Sequence, residues 1–305
     1  MVPKVVVVGS ANTDFIVRVP QLPLHGETVL GGEFSVAKGG KGANQAVSAA
    51  RQGVDVTFIA CLGTDSLGAE ALAAYQAEGI HTDFIVTNPK QPSGAALILV
   101  GSDGDNMIAV APGANAWLLP EHIQAAEDVF KNATCLLLQL EIPLQSVQAA
   151  AEIAHKNGVL VILNPAPACQ IPDELFKLVD ILTPNEKEAE MLLGEHEIPP
   201  GASFLPGLSE KTGVRTIVAT LGSRGVRVFA GGEETHIPAF SITPVDTTAC
   251  GDAFNGALAS ALARGENILS AANYANAAGA LAATKLGAQP SLPAAKEVKQ
   301  LLLSD

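Results

Sequence analysis

The sequence predicts an α/β protein built as a three-layer sandwich, with a mostly parallel central sheet flanked by helices on both faces. Two observations predict it. Short apolar β-type runs alternate with helix-patterned stretches along most of the chain, as βαβ units require. The apolar mass is aliphatic: hydrophobic residues make up 48% of the chain and aromatic residues only 4%, as in strands buried on both faces. At 305 residues the chain suits one large domain of this kind. No internal repeat, low-complexity tract or linker divides it.

The strand candidates are 5–8, 54–61, 95–100, 135–140, 159–163, 181–182 and 216–219. Helical periodicity covers 43–52, 66–78, 120–132, 144–157 and 186–193, and several of these helices stop at a glycine: Gly53, Gly79, Gly158 and Gly194. A further helix carries Phe254, Leu258 and Leu262 at every fourth position and ends at Arg264-Gly265. Two segments break the alternation. Residues 15–34 contain no helix, and 93–110 reads as a hairpin turning at Ser102-Asp103-Gly104-Asp105. Both look like β insertions that form a small flap. Residues 195–211, rich in Pro and Gly, read as an irregular connection.

The formal charge of −13 argues against nucleic acid or an anionic membrane surface as partner. It also means that any phosphate site must rely on local amides, a few cations and bound metal. Cys61, Cys135, Cys169 and Cys250 show no C-x-x-C spacing and are expected as free thiols in a reducing compartment. The apolar run at 5–8 is too short for a signal peptide, and no run approaches the ~18 residues of a membrane span. The expectation is a soluble cytoplasmic protein.

The chemistry gathers at strand ends and helix starts. In 245–256, Val-Asp-Thr-Thr-Ala-Cys-Gly-Asp-Ala-Phe-Asn-Gly, the small residues Ala249, Cys250 and Gly251 leave backbone N–H groups open where a helix begins, a site for an anion such as phosphate. Asp252 beside a phosphate makes sense as a base for an attacking hydroxyl. The competing reading is ordinary helix capping. Polar residues also follow five strands: Asn12 and Asp14; Gln139 and Glu141; Asn164; Thr183-Pro184-Asn185; and Thr220 through Gly225. Ligands of open α/β sheets bind at such ends. The run Lys38-Gly-Gly-Lys-Gly-Ala-Asn-Gln45 is not a Walker loop, because Gly42 follows the lysine, and no dinucleotide glycine fingerprint follows a strand. Gly39, Gly40 and Gly42 allow backbone to approach a ligand closely. Asn44 can both donate and accept, and with Asn12 and Asp14 it makes a polyol-type site.

Taken together, these motifs resemble the ribokinase-like sugar and nucleoside kinase family. The likeness runs from Val5 to about Pro293 and includes Gln139-Leu-Glu141, Asn164-Pro-Ala-Pro-Ala168, Thr183-Pro-Asn-Glu186, Thr220-Leu-Gly-Ser-Arg-Gly225 and Lys285-Leu-Gly-Ala-Gln-Pro-Ser291. The resemblance implies a ribokinase-like fold in which 15–34 and 93–110 form a β lid over the sugar. That lid would also pair two subunits as a homodimer. Asp252 would be the catalytic base and the amides of Ala249, Cys250, Gly251 and Asp252 the anion hole. Asn12, Asp14, Gly40, Lys41, Gly42, Asn44 and Glu141 would contact sugar. Asn185, Glu188, Thr220, Gly222, Ser223, Gly225, Gly251 and Asn276 would contact ATP, with Asn185 and Glu188 organising Mg²⁺ and its waters. Asp246, Thr248, the carbonyls of Ala282, Lys285 and Gly287, and Ser291 would hold K⁺.

The implied reaction is phosphorylation of D-ribose at O5. Family members that prefer 2-deoxyribose carry an apolar residue where this chain has Asn12, whose amide can pair with a 2-hydroxyl. Other sugars such as fructose, and nucleosides, are the alternatives within the family. A sugar-binding regulatory protein without activity is the alternative from another class, and the presence of Asp252 and Gly251 speaks against it. Two departures stand out: Cys250 occupies a position usually Ala or Gly, and 195–211 lacks the helix usual there.

Overall fold

The computed structural model describes residues 3–102, 106–195, 197–199 and 201–304. Seven parallel strands form the body of a nine-stranded sheet. They are β1 (Lys4–Val8), β4 (Asp55–Gly63), β5 (Ile85–Asn88), β8 (Cys135–Leu138), β9 (Leu160–Leu163), β10 (Ile181–Leu182) and β11 (Thr216–Thr220). An antiparallel pair, β12 (Val226–Ala230) and β13 (Glu233–Ile237), extends one edge. The order is β13-β12-β11-β10-β9-β8-β1-β4-β5, so the chain switches direction between β1 and β8. Ligands of open α/β sheets lie at such a switch point, beyond the strands' carboxyl ends.

The central parallel strands are apolar on both sides because both faces are covered. Val5 and Val7 point into one core with Phe58 and Tyr75, whereas Val6 and Val8 point into the other with Ile59, Leu136 and Leu163. Helices Lys41–Arg51, Cys250–Ala263 and Ile268–Ala283 build the first layer. Gly256 lets two of them touch: a Cβ there would lie 2.4 Å from Ser48 Cβ and 2.6 Å from the Gln45 carbonyl.

The predicted flap is a separate four-stranded sheet. Strands β2 (Asn12–Arg18), β3 (Phe34–Gly39), β6 (Gly94–Val100) and β7 (Asn106–Ala111) pair in the order β3-β2-β6-β7. The β6–β7 pairing is antiparallel, as a hairpin requires; Asp103, Gly104 and Asp105 of its predicted turn lie outside the described residues. Side chains alternate across a strand, so Asn12, Asp14, Ile16, Ile108 and Val110 share one face. Phe15, Val17, Phe34, Val36, Leu97 and Met107 share the other.

Several expectations need correction. The 120–132 helix divides at Ala126 into Pro120–Ala125 and Glu127–Phe130. The strand expected over 135–140 ends at Leu138, freeing Gln139 and Glu141. The 195–211 stretch, of which residues 196 and 200 are not described, does contain a helix, Leu205–Thr212. Pro206 sits in its first turn and Gly213 ends it at φ 77°. The supposed departure there disappears. Glycines 53, 79, 158 and 194 all close helices with positive φ, as expected. The β12–β13 hairpin carries the two-residue Gly231-Gly232 turn, with φ 63° and 86°, a signal legible in the sequence.

Gly256→Ala should push the Lys41–Arg51 and Cys250–Ala263 helices apart and destabilise the protein by about 1–3 kcal/mol. A thermal unfolding midpoint equal to that of the parent would disprove this contact.

Candidate active site

The first turns of the Lys41–Arg51 and Cys250–Ala263 helices meet at Asp252, beside the carboxyl ends of β1 and β8 and the start of β2. The Cys250–Ala263 helix is preceded by Ala249, whose φ of 59° makes it the one non-glycine with positive φ among the described residues. Such a backbone costs about 1–2 kcal/mol and marks a position held by its surroundings. Asp252 does not cap its own helix. Its Oδ2 accepts from Asn44 Nδ2 at 2.9 Å and its Oδ1 from Gln45 Nε2 at 2.9 Å, both reaching across from the first turns of the Lys41–Arg51 helix. The capping reading of Asp252 therefore fails. Burial raises its pKa, opposed by Lys41, Asn44 and Gln45.

The glycines of the loop are required by packing. A Cβ at Gly42 would lie 2.5 Å from Ser10 N, at Gly40 2.7 Å from Asn12 N, and at Gly39 2.2 Å from the Asp14 carboxylate. These glycines admit the β1–β2 backbone and Asp14. Glu141 Oε2 accepts from Ser10 Oγ at 2.5 Å and from the Lys41 amide at 3.0 Å, so the strand end caps the helix across the switch point. Asp14 is 7% exposed, and its carboxylate accepts no hydrogen bond among the described residues. Burial, Glu141 and Asp252 push its pKa up to about 6, against Lys41. Burial would lower the Lys41 pKa, but Asp252, Glu141, Glu188 and Asp14 more than offset it and raise the value.

Asn12 Oδ1 accepts from Asn115 Nδ2 at 2.7 Å, while Asn115 Oδ1 accepts from the Ala11 amide at 2.8 Å. The Asn12 amide nitrogen is thereby the group left to face a ligand. Asn44 Oδ1 is buried without a partner. An ionised Asp14, a free acceptor on Asn44 and a free donor on Asn12 form a set that suits a polyhydroxylated ligand.

Beside this cluster lies a cavity of about 690 Å³ whose lining includes Thr220, Gly222, Ser223, Gly225, Gly251 and Asn276. Its walls include the apolar Val226, Phe240, Ile242 and Phe254, which suit a flat heterocycle. Gly225 is obligatory for packing, since a Cβ there would lie 2.2 Å from the Ile237 carbonyl. Asn276 donates to the Pro238 carbonyl at 2.8 Å, holding the wall. The amides of Gly251 and Asp252 have no backbone acceptor among the described residues, whereas the Cys250 amide donates to Thr247 O at 3.3 Å. The Cys250 thiol lines the cavity, and burial, Asp246 and Asp252 push its pKa up to about 12. It is an uncharged wall.

Asn185 and Glu188 form a capping box: Asn185 Oδ1 accepts from the Glu188 amide, while the Asn185 amide and Nδ2 donate to the two Glu188 oxygens, all at 2.9 Å. Burial raises the Glu188 pKa, against the Asn185 amide and Lys41. The donor chemistry suits a hydrated divalent cation, whose waters can donate to the remaining carboxylate lone pairs. No group of three or more His, Cys, Asp or Glu able to hold a metal occurs among the described residues. Asp246 Oδ1 accepts from the Thr248 amide and hydroxyl at 2.9 and 2.6 Å, and Oδ2 from the Gly287 amide at 2.9 Å. Burial would raise its pKa, but these bonds lower it. Ser291 Oγ donates to Ala288 O, and Ala282 O accepts from the Lys285 amide. The structure thus joins Asp246, Thr248 and Gly287 directly. Ala282 lies in the last turn of the Ile268–Ala283 helix, Lys285 just beyond it and Ser291 in the short 3-10 turn Gln289–Ser291, a carbonyl- and hydroxyl-rich set suited to a hard cation.

Residues 2–295 match the pfkB family of carbohydrate kinases. The chain belongs to that family. It is 43% identical to a ribokinase of Haemophilus influenzae over 97% of each chain, and 33% identical to a deoxyribokinase of Salmonella typhimurium over 98% of each. The structure of Arabidopsis thaliana ribokinase complexed with ribose and ATP superposes with a TM-score of 0.90 at 35% identity, covering 99% of both chains. For a pfkB-family chain the sequence places Asn12, Asp14, Asn44, Glu141 and Asp252 in one site, as found. Ser10, Gln45 and Asn115 escape it as functional residues. Gln45 stands within the glycine-loop motif, but nothing in the sequence signals Asn115.

The raised Asp14 pKa sets a pH window. Its ordinary value is 3.8 and its folded value about 6, so the folded protein bears a buried charge at a penalty fully felt above pH 6 and absent below pH 4. Asp14→Asn should stabilise the ligand-free protein at pH 8 by up to about 3 kcal/mol while impairing turnover. Melting curves at pH 8 and pH 4 test this, and a variant less stable than the parent at pH 8 would refute it.

Proposed function

We propose that this chain transfers the γ-phosphoryl group of ATP to O5 of D-ribose. The observation that carries the reading is Asp252, a buried carboxylate that leaves its own helix uncapped and is held by two amides from another. Its raised pKa suits a group that must take a proton near neutral pH. Asp14, Asn12, Asn44 and Glu141 would grip the sugar hydroxyls, and the cavity beside Gly251 would take the nucleotide. Asp252 accepts the proton of the 5-hydroxyl as its oxygen attacks the γ-phosphorus in line. The amides of Gly251 and Asp252, and the dipole of their helix, stabilise the charge that develops. The likeness to ribokinases supports the same substrate pair.

Bound Mg²⁺ would neutralise phosphate charge, held by Asn185 and Glu188 through water. K⁺ at Asp246, Thr248, the carbonyls of Ala282, Lys285 and Gly287, and Ser291 would brace the 246–252 loop. The small sheet would act as a lid over the sugar, excluding water. Its outward face exposes Phe34, Val36, Leu97 and Met107 at 63, 50, 61 and 52%, an apolar surface suited to the same face of a second copy. Among the described residues no helix is long and apolar enough to cross a membrane.

A coupled ADP-release assay with ribose, 2-deoxyribose, fructose and adenosine tests the substrate. Ribose should exceed 2-deoxyribose in kcat/KM by about 5–150-fold, the worth of one hydrogen bond to the Asn12 amide; equal values would remove that role. Asp252→Asn should lower kcat by about 10²–10⁴ with the KM for ATP little changed, and near-parental turnover would defeat the base assignment. Replacing K⁺ by Na⁺ should slow turnover, and sedimentation should show a dimer that Leu97→Glu dissociates. Indifference to the cation, or a monomeric parent, would remove those two assignments.

A further inference from the structure

Asn164, Gln45 and Gln139 form a chain of buried side-chain amides that runs in one direction only. Thr183 O is a backbone carbonyl and can only accept, so the atom facing it at 3.0 Å is Asn164 Nδ2. Asn164 Oδ1 then faces Gln45 at 3.1 Å, which makes the Gln45 atom there Nε2. The same nitrogen lies 2.9 Å from Asp252 Oδ1. On its other side Gln45 Oε1 accepts from Gln139 Nε2 at 2.6 Å. Gln139 Oε1 ends the chain without a partner, in space that a Cβ at Gly9 would approach to 2.1 Å. Reversing Gln45 would turn its carbonyl toward both Asn164 Oδ1 and Asp252. One peptide carbonyl therefore sets the sense of all three amides, and leaving the last acceptor unsatisfied is the cost of that sense.

We propose that Gln45, buttressed by Gln139 and Asn164, is a positioning residue for phosphoryl transfer: it anchors the carboxylate form of Asp252 and turns its remaining lone pairs toward the attacking hydroxyl. The proposal rests on the reading of Asp252 as the base. Asn44 and Gln45 donate one bond to each oxygen, so neither donor has to move when the proton arrives. A protonated carboxyl would weaken both charge-assisted bonds. The other charged groups facing Asp252 come from separate elements. Lys41, at the start of the Gln45 helix, favours the carboxylate. Glu141 beyond β8, Asp14 on β2 and Glu188 in the capped helix oppose it. A substitution at 45 leaves all four in place.

The test measures kcat against pH for Gln45→Met and Gln139→Met, with saturating ribose and Mg-ATP. Gln45→Met should move the acid limb upward by about one pH unit and lower kcat at pH 7.5 by roughly 10–100-fold, with the KM for ATP within twofold of the parent. Gln139→Met keeps the Gln45–Asp252 contact and should shift the limb in the same direction by less; it decides the matter if Gln45→Met does not fold. A purely structural role would lower the active fraction equally at every pH, so parental acid limbs in both variants would overturn the proposal. The ¹³C carboxyl titration of Asp252, assigned by its loss in Asp252→Asn, gives a readout without substrate. A parent that fails to phosphorylate ribose would refute the functional reading, whereas an Asp252 midpoint unmoved in Gln45→Met would refute this one.

Discussion

The contact between Asp252 and the first turn of the Lys41–Arg51 helix is the constraint on which the rest of the site depends. It joins residues more than 200 positions apart and lies where two helices pack closely enough that Gly256 can be nothing larger without displacement. A buried carboxylate is unfavourable by itself. Here two side-chain amides, one lysine and two helix N-termini supply the compensation. The same arrangement that makes the group tolerable also orients it. Packing and chemistry are one requirement at this position.

The site's electrostatics follow from its crowding. Asp14, Glu141, Glu188 and Asp252 surround a single ammonium, Lys41, in a chain whose formal charge is −13. Such a cluster repels a polyphosphate unless something local attracts it. The open amides of Gly251 and Asp252 provide a directional attraction that Debye screening does not erase at contact distance. That separation suits two ligands of unlike character: a neutral polyol among the carboxylates, and an anion at the helix end. On the proposed reading, Asp14 would serve hydroxyl binding at the expense of folded-state stability, as the predicted gain of Asp14→Asn at alkaline pH expresses.

Much of this was legible in the sequence because it is local. Strand–helix alternation predicts the parallel sheet, and glycine punctuation places the helix ends. Small residues ahead of Asp252 mark an open helix start. What escaped is of three physical kinds. The helices Ile268–Ala283 and Ala295–Ser304 were not assigned, and the first is so rich in Ala and so buried that no polar face outlines its period. The β12–β13 hairpin follows a diglycine turn that could have been read, yet its charged second strand, Glu233–Ile237, lacks an apolar pattern. Residues such as Asn115 act across 100 positions of chain, and no spacing rule reaches that far. The glycine loop has a second task that composition does not show: its missing side chains also make room for the β1–β2 turn.

That packing explains why the glycine loop and the strand-end residues belong together. Asn12 and Asp14 lie on β2, in the small sheet, whereas Asn44, Gln45 and Asp252 lie on helices of the main body. The close approach of Gly39, Gly40 and Gly42 to residues 9–14 joins the two. The second sheet is therefore tied to the main body at Asn12 and Asp14. On the proposed reading, closure of that sheet over a sugar and engagement of its hydroxyls would run through these same two residues. Asn115 strengthens the tie, because it binds the Ala11 amide and Asn12 Oδ1 from the main body.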